Sequence, residues 1–559
     1  MKFFNKRSNK DKFNQNQLNS AVKLFEHTSV SKALLRVVFL AVVVAFASGL
    51  YVFADQVLMQ KILPYNNSFV SKTLASIGWD DVKNIAQKYS TYENESKVIN
   101  EITRLVNAGN SPITMICAAI SLMIGLGSAI IYSKALGSKD EKKIKDIWKN
   151  SFYNCLVTSL VTTIIVIGLI YVIIPAEIKT SDSFQNDPQM SEFIKRLQEK
   201  SREYAIAYCL ILVGFNIFNN YLMYFVSLLN SEGKNSVPTI IVLISNGINI
   251  LVDWLLLNYS EAGIYGSAIA TIISYVVSIF IFGGYLSVKN KHNDTYMIYK
   301  DLSLKNYKID WSIMGGIYKV GVSSFFRNAA TAIFSIVQLS IYANITGKLT
   351  AHEATYYTSI MGAVTPIYNL FFSAIIGIIR GARTVISYNH GRNNVENIRK
   401  AFWISSAMAL GYGILFFIIA GPLLTSGDYA GGGFLALFEI TPSSDKWKDA
   451  VIILNINTAQ LALYAFLISG MLYFQAVAKP IQALITSIVY GIILGIPILY
   501  ILSAISVATS NIMIYQFAPI IISLVSGIPI FGYTVWYIYK KADKPSKGNI
   551  DEKDLSINA

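Results

Sequence analysis

The sequence predicts an all-α polytopic membrane protein, in which twelve transmembrane helices form two pseudo-symmetric six-helix lobes. Three observations lead to this fold class. The 559-residue chain is 53% hydrophobic and only 14% charged, with a mean hydropathy of +0.46, which is too apolar for a soluble protein of this length. Its apolar segments reach the roughly 20 residues that a helix needs to cross a bilayer. A motif after the second segment also returns after the eighth.

The apolar segments follow one another along the chain between polar stretches. Each must be helical, because hydrocarbon offers the backbone no hydrogen-bond partner. The twelve predicted spans are 33–59, 112–136, a third that ends near residue 175, 204–230, a fifth that begins after the turn at 231–235, 264–288, 311–345, 355–388, 401–424, 450–477, 480–503 and 511–539.

Polar stretches divide the chain into two lobes and their connections. The predicted parts are a cytoplasmic N-terminal tail at 1–32, an N-terminal lobe at 33–288 with a long outer loop at 60–110, a cytoplasmic linker at 289–310, a C-terminal lobe at 311–540 and a cytoplasmic C-terminal tail at 541–559. The tails and the loops after even-numbered spans are the richer in Lys and Arg. By the positive-inside rule, both termini are cytoplasmic and the loops at 60–110 and 176–201 face outward. We expect no cleaved signal peptide and a multi-pass protein of the plasma membrane.

The two lobes share a sequence repeat. GSAIIYSKALGSKDEKKIKDIW, from Gly127, aligns without gaps with GARTVISYNHGRNNVENIRKAF, from Gly381. The identical positions include Gly127 with Gly381, Ser133 with Ser387, and Gly137 with Gly391. Because each half holds an even number of spans, the repeat is parallel, with its axis along the membrane normal. Two six-helix lobes around a central cavity are the architecture that such a repeat predicts.

Oxygen-bearing side chains interrupt three apolar spans of the first lobe. Asn249 and Asp253 lie one helical turn apart and so share a face, while Asp55 and Thr271 lie at similar depth in the first and sixth spans. A carboxylate in hydrocarbon costs roughly 2.5–3.5 kcal/mol and usually marks an ion or substrate path. Oxygen ligands suit Na⁺, and two nearby acids in a low dielectric suit a shared proton. These four residues therefore predict a cation-coupling site for Na⁺ or H⁺. The alternative is that each side chain only hydrogen-bonds a neighbouring helix.

Further polar residues are candidates for the lining of the cavity. They are Asn216, Asn220, Asn246, Arg327, Asn455 and Gln460. Asn216 and Asn220 equally fit hydrogen bonding between helices. Arg380 and Arg383 lie near the predicted cytoplasmic end of the eighth span, where we expect them to act as positive-inside anchors. The three cysteines all fall in apolar segments and are expected to be buried structural thiols.

Sequence signatures of catalysis are missing. The chain contains no phosphate-binding loop, nucleophile motif or metal-ligand spacing, and all four histidines fall in predicted tails or loops. We therefore expect a protein that is not an enzyme, that needs no cofactor besides its coupling ion, and that binds no nucleic acid.

The order and spacing of these motifs resemble the multidrug and toxic compound extrusion (MATE) transporters. The two repeat segments are similar to the family signature after the eighth helix and its first-lobe counterpart. SEGKNSVPTIIVLISNGINILVDWLLL, followed by GIYGSAIATIISY, resembles the fifth and sixth helices of the family. MLYFQAVAKP and ALITSIVYGIILGIPILYIL resemble its tenth and eleventh helices, and YVFADQVLM the end of its first.

The resemblance implies a V-shaped pair of lobes and antiport of organic compounds against Na⁺ or H⁺. Family members with a first-lobe cation site use a helix-1 Asp, a helix-5 Asn-x-x-x-Asp and a helix-6 Thr. The matching residues of this chain are Asp55, Asn249, Asp253 and Thr271. Other members couple through a Glu in helix 7 and an Asp in helix 10, whereas those spans carry Arg327, Asn455 and Asn457 here. The resemblance therefore places coupling in the first lobe.

Together these observations predict a monomeric secondary antiporter for multidrug efflux. Its partners would be a small organic, cationic or amphipathic drug-like substrate, a monovalent cation or proton, and membrane lipids. One alternative is a lipid-linked oligosaccharide flippase of the same superfamily, which would have a strongly cationic cavity and often two extra helices. The other is a polytopic membrane enzyme, which would need a nucleophile or metal cluster. Twelve spans and paired acids favour the antiporter over the flippase, and the sequence shows no nucleophile motif or metal cluster that would favour the enzyme.

Overall fold

The computed structural model of the chain describes most of its residues. They are 28–138, 141–179, 187–232, 234, 236–291, 295–303, 309–349, 355–391, 394–425, 433–477 and 479–540. Most of the predicted N-terminal tail, the whole C-terminal tail and parts of the predicted linker lie outside these ranges. All regular elements within them are helical.

Long helices form the N-terminal lobe. Its α-helices in the described residues are α1 (Val30–Ile62), α2 (Asn67–Ile77), α3 (Trp79–Ala86), α4 (Glu95–Ser138), α5 (Glu141–Glu177), α6 (Pro188–Gly214), α7 (Asn216–Ser231), α8 (Ser236–Tyr259) and α9 (Tyr265–Lys291). Most of its buried apolar side chains form one core cluster that extends from α1 to α9.

The C-terminal lobe has the same plan. Its described α-helices are α10 (Trp311–Leu349), α11 (Tyr356–Gly391), α12 (Val395–Thr425), α13 (Gly433–Ala436), α14 (Trp447–Ala476), α15 (Pro480–Ile488), α16 (Ile496–Ala508), α17 (Met513–Gln516) and α18 (Ala518–Lys540). A π-helical segment, Val489–Gly495, joins α15 to α16. Two further apolar core clusters lie mainly in this lobe and also include Leu34, Val38 and Phe53 of α1.

Helices lie on all twelve predicted spans, in the predicted order. Within the described residues, ten helices are long and apolar enough to cross a membrane, or eleven when α6 and α7 count as one span bent by 48°. The predicted seventh span lies on α10, where the described apolar segment, Ala332–Thr346, is shorter than a full span. The prediction of an all-helical membrane protein is confirmed.

The stretch predicted as a long outer loop, 60–110, folds into helices. Asn66 caps α2 by accepting a hydrogen bond from the Phe69 N–H (3.1 Å), and Gly78, with φ of 71°, turns the chain into α3. The second membrane helix, α4, begins at Glu95 instead of residue 112. Helices α2 and α3 are amphipathic, and they are too polar to be recognised from their mean hydropathy. Only the helical spacing of their apolar residues indicates them in the sequence.

Aromatic side chains hold the outer helices against the lobe. Trp79 of α3 contacts Phe193 of α6 with ring centroids 5.8 Å apart, and Phe69 of α2 contacts Tyr204 at 5.5 Å. The Asn66 amide donates to the Leu257 carbonyl at the end of α8 (2.9 Å). These contacts fix the outer helices beside the helices that carry the predicted cation site.

The lobes meet along two pairs of helices, α1 with α11 and α4 with α10. A Cβ atom on Gly381 of α11 would lie 2.6 Å from the Val38 Cα of α1, and one on Gly127 of α4 would lie 2.4 Å from the Ile317 carbonyl oxygen of α10. Small residues allow such close approach of helices in membranes. Gly127 and Gly381 are also matched positions of the repeat, so equivalent glycines make equivalent contacts between the lobes.

A buried ionic cluster joins the lobes at the predicted outer side. The Lys446 ammonium, just before α14, lies 2.7 Å from one Glu101 carboxylate oxygen, and the Arg104 guanidinium lies 2.7 Å from the other. Arg104 also donates to the Phe438 carbonyl (2.8 Å) and, through Nε, to the Ser359 hydroxyl (3.1 Å). Because Glu101 and Arg104 belong to α4 whereas the other three residues belong to the second lobe, the cluster holds the lobes together.

Candidate functional site

The four residues of the predicted cation site lie together in the N-terminal lobe. Asp55 of α1, Asn249 and Asp253 of α8, and Thr271 of α9 are all buried. The Asn249 amide donates to the Thr271 hydroxyl (3.1 Å). The Asp55 and Asp253 carboxyl groups are close enough to hydrogen-bond to each other when one of them carries a proton. Three helices therefore bring two acids, an amide and a hydroxyl into one cluster.

Ser267 is a fifth member of this cluster that sequence reasoning missed. Its hydroxyl donates to the Asp55 carboxylate at 2.5 Å, and the Tyr208 hydroxyl lies 3.3 Å from it. Ser267 precedes Thr271 by one turn of α9, so both side chains point to the same face. The same four-residue spacing identified Asn249 and Asp253, and it was the signal that could have found Ser267.

Unsatisfied oxygen atoms remain at the centre of the cluster. Neither carboxylate oxygen of Asp253 accepts a hydrogen bond from a donor in the described residues, and nor does the Asn249 side-chain oxygen. The Ser267 hydroxyl has one proton to donate, and it donates this proton to Asp55. No Lys or Arg of the described ranges forms an ion pair with either acid. A buried carboxylate needs a compensating positive charge or a proton, so this arrangement of oxygens can bind a hard cation or a proton.

A cavity between the lobes borders the cluster. It has a volume of about 360 Å³, and both Asp55 and Thr271 line it, whereas Asp253 lies behind Asp55 and is fully buried. Its polar lining is rich in side-chain amides, namely those of Gln56, Asn107, Asn110, Asn216, Asn219 and Asn369. Among the described lining residues, the ionisable acid or base side chains are Asp55 and Arg380. A cation can therefore reach the cluster from this cavity through Asp55.

A second cavity, of about 340 Å³, adjoins the first. The two share Met115, Ala118, Leu122 and Arg380 in their linings, and Arg383 lines the second. The sequence predicts Arg380 and Arg383 as surface anchors, but the structure places both on the wall of an internal cavity. The second cavity forms where α11 meets α4 and α14. The spacing of two arginines along α11 does not show that such a cavity exists.

Some of the additional candidate residues do not line either cavity. Asn216 lines the first one. Asn220 accepts from Ser121 (2.5 Å) and donates to Ser159 (2.8 Å), so it links α7 to α4 and α5. The Gln460 amide donates to Ser523 (3.2 Å), which links α14 to α18. Asn220 and Gln460 are therefore helix–helix contacts, because the rotation of each helix points them away from the cavities.

The remaining candidates are less informative. Asn246 and Asn455 are half-buried, and neither belongs to the described lining of the two cavities. The side chain of Arg327 lies outside the described residues.

Cys117, Cys155 and Cys209 are buried and unbridged, which confirms the prediction of buried thiols.

Comparison with known proteins places the chain among membrane transporters. A family model described as MatE matches residues 106–255. An uncharacterized protein of Mycoplasmoides gallisepticum is 30% identical over 523 residues, which is 90% of this chain and 88% of that protein. The multidrug export protein MepA of Staphylococcus aureus is 23% identical over 397 residues, which is 70% of this chain and 77% of MepA.

Solved structures show the same fold. An inward-facing multidrug resistance MATE transporter of the MOP superfamily has a TM-score of 0.64 and 18% identity, covering 88% of this chain and 94% of that one. A MATE in complex with MaD3S has a TM-score of 0.65 and 18% identity, covering 92% and 98%. A MOP superfamily transporter from Pyrococcus furiosus, described as having a binding pocket of reversed polarity, has a TM-score of 0.65, covering 92% and 97%.

Proposed function

Because the chain belongs to the MATE family of membrane transporters, we propose that it is a cation-coupled antiporter that exports organic compounds across the plasma membrane in exchange for Na⁺ or H⁺. Its family membership also makes it a transporter and not an enzyme. One observation carries the proposal: a buried pair of acids, Asp55 and Asp253, borders the cavity between the lobes. The pair supplies a site for the driving ion next to the path of the substrate.

Charge neutralisation is the first step of the proposed mechanism. With both carboxyl groups ionised, Asp55 and Asp253 repel each other in a medium of low dielectric constant. A Na⁺ ion or a proton removes this repulsion, and the oxygens of Asn249, Thr271 and Ser267 are positioned to complete a Na⁺ shell. The cation would enter past Asp55, because Asp55 lines the cavity and Asp253 does not.

Helix α1 provides the link from the ion to the lobes. It packs against α8, which carries Asn249 and Asp253, and against α11 of the opposite lobe. A change in the distance between Asp55 and Asp253 therefore acts on the contact between α1 and α11. Ion and substrate are coupled when each favours a different arrangement of the lobes, and this coupling is reciprocal.

A lipid-linked oligosaccharide flippase of the same superfamily is the second candidate. The two arginines on the wall of the second cavity favour it, because such a substrate carries phosphate groups. The buried acids of the first lobe favour the antiporter, because they provide a binding site for a driving ion. An ion-gradient experiment separates the two candidates.

The test is ion-driven transport in liposomes. Purified protein is reconstituted, and the efflux of ethidium and of dansyl-undecanoate is followed under imposed Na⁺ or H⁺ gradients. We expect one gradient to drive efflux in the wild type and in Asp80→Asn, which changes an exposed acid of the same lobe, but not in Asp253→Asn. Equal gradient-driven efflux by the wild type and Asp253→Asn would refute the assigned site. Transport that no gradient accelerates would favour the flippase.

A further inference from the structure

We propose that the second cavity binds the acidic end of an amphiphilic organic anion through Arg380 and Arg383, so that the substrate carries a carboxylate or phosphate group. This inference rests on the proposed function, since it names the substrate class of the same transport path. It reverses the sign of charge expected from the sequence, which favoured a cationic compound.

Arg380 presents an uncompensated positive charge to the cavities. Its side chain is exposed, and this exposure is internal, because the residue lines both cavities between the lobes. No hydrogen bond or ion pair joins Arg380 to another residue in the part of the chain that the structure describes. The buried Lys446 and Arg104, in contrast, both contact the Glu101 carboxylate.

Arg383 adds a second positive charge on the same face of α11. It follows Arg380 by three residues, so the two side chains are neighbours on the helix. Its guanidinium donates to the Gln475 side-chain oxygen (2.8 Å). The described lining of the second cavity contains no Asp or Glu. Asp55, in the lining of the first cavity, is occupied with Ser267 and Asp253.

The position of Arg380 on the walls of both cavities between the lobes argues against a role as a surface anchor. Arg380 lies eleven residues before Gly391, the last residue of α11, which is roughly 16 Å at 1.5 Å per residue. A charged side chain inside a membrane protein is costly and usually faces a substrate or ion pathway. A ligand with negative charge would offset that cost each time it binds.

The rest of the second cavity is mainly apolar. Phe372, Ile376, Ile379, Ile468, Met471 and Leu472 line it together with the two arginines. Its volume of about 340 Å³ lies within the range of roughly 300–1,000 Å³ for small-molecule sites. A guanidinium binds a carboxylate or phosphate in a bidentate manner. A substrate with an acidic headgroup on an apolar body fits this cavity, because the arginines can bind the headgroup and the apolar side chains can contact the body.

Equilibrium binding tests the charge preference without any ion gradient. Purified protein in dodecyl maltoside is titrated with dansyl-undecanoic acid and with dansyl-undecylamine, which differ in the sign of the end group. We expect the wild type to bind the acid at least tenfold more tightly than the amine. Arg380→Gln should weaken binding of the acid at least tenfold, Arg380→Lys should restore part of it, and the amine should bind no more weakly than to the wild type.

Arg36→Gln is the matched control. Arg36 is an exposed arginine of α1 that lies outside the described linings of both cavities, so its variant should bind the acid as the wild type does. A wild type that prefers the amine would overturn the inference, and so would a folded Arg380→Gln that binds the acid normally. Gel filtration and thermal unfolding report folding. If Arg380→Gln does not fold, Arg383→Gln replaces it, and unchanged acid binding by that variant overturns the paired site.

Liposome assays then identify the source of the acidic group. One assay follows efflux of dansyl-undecanoate, a free acid, and the other follows movement of fluorescent phosphatidic acid between leaflets by dithionite quenching. Movement of either probe that Arg380→Gln abolishes supports the inference and identifies the source. If only ethidium moves, the inference fails and the antiporter stands. If no probe moves under any gradient, the antiporter fails, while the binding titration still decides the charge of the site.

Discussion

The Lys446 ammonium lies 2.7 Å from the Glu101 carboxylate, and both side chains are only 1% exposed. Glu101 belongs to the first lobe and Lys446 to the second, so this ion pair crosses the boundary between them. Arg104 contacts the same carboxylate, which gives the cluster two cations and one anion. Both cations contact Glu101, so the cluster depends on this residue.

Glu101→Gln should destabilise the protein more than Lys446→Met does. The first change removes the carboxylate that both Arg104 and Lys446 contact, and loss of one partner from a buried ion pair costs about 3–5 kcal/mol. The second leaves a neutral Glu101–Arg104 pair and should cost less. Thermal unfolding in detergent measures both. Glu93→Gln, which removes an exposed ion pair with Lys97, is the control and should cost less than about 1 kcal/mol. The opposite ranking of Glu101→Gln and Lys446→Met would contradict this account of the cluster.

Ser267→Ala should weaken binding of Na⁺ about tenfold but should tighten binding of H⁺. For Na⁺, the substitution removes one oxygen ligand of the proposed shell. For H⁺, it removes the hydroxyl that donates to Asp55, and loss of a donor to a carboxylate favours the protonated form. The measurement is the ion concentration that gives half-maximal efflux from liposomes. Ser287→Ala changes an exposed serine of the same helix and should leave that concentration unchanged. If the two variants behave alike, Ser267 has no part in the site.

Gly381→Ala should lower the free energy of unfolding by about 1–3 kcal/mol, the usual cost of overpacking. The added Cβ would lie 2.6 Å from the Val38 Cα, and a backbone atom cannot move aside as a side chain does. Gly127→Ala should have a similar effect, because the repeat places it at the equivalent contact. Gly411→Ala is the control, since no atom lies within 4 Å of its added Cβ. Equal stability of all three variants would show that the lobes do not depend on this close approach.

Sequence patterns predicted the membrane helices and the shared face of Asn249 and Asp253, and they did so for physical reasons. Length and hydropathy decide where a helix can cross a bilayer, and the four-residue spacing of Asn249 and Asp253 fixes a shared face. The outer helices α2 and α3 were missed because hydropathy does not detect amphipathic helices. Their apolar residues, among them Phe69, Val70 and Leu74, nevertheless follow a helical spacing that could have revealed them.

The internal cavities could not be predicted in this way. Asn220 and Gln460 are polar residues of membrane helices, just as Asn216 is, but only Asn216 lines a cavity. The rotation of each helix about its axis makes this difference, and packing against other helices sets that rotation. Arg380 likewise lines a cavity because α11 meets α4 and α14 there, a relationship between distant segments that no local pattern contains.

The most direct test of the central claim is cation-dependent stability of the wild type and Asp253→Asn. A cation that binds the native state raises its unfolding free energy, by about 2.7 kcal/mol at one hundred times the Kd. Thermal unfolding is recorded as Na⁺ replaces choline at constant ionic strength, and again across a series of pH values. We predict that Na⁺ or H⁺ stabilises the wild type and Asp80→Asn, and that Asp253→Asn loses this dependence. A variant Asp253→Asn that responds to both ions as the wild type does would show that the coupling cation binds elsewhere.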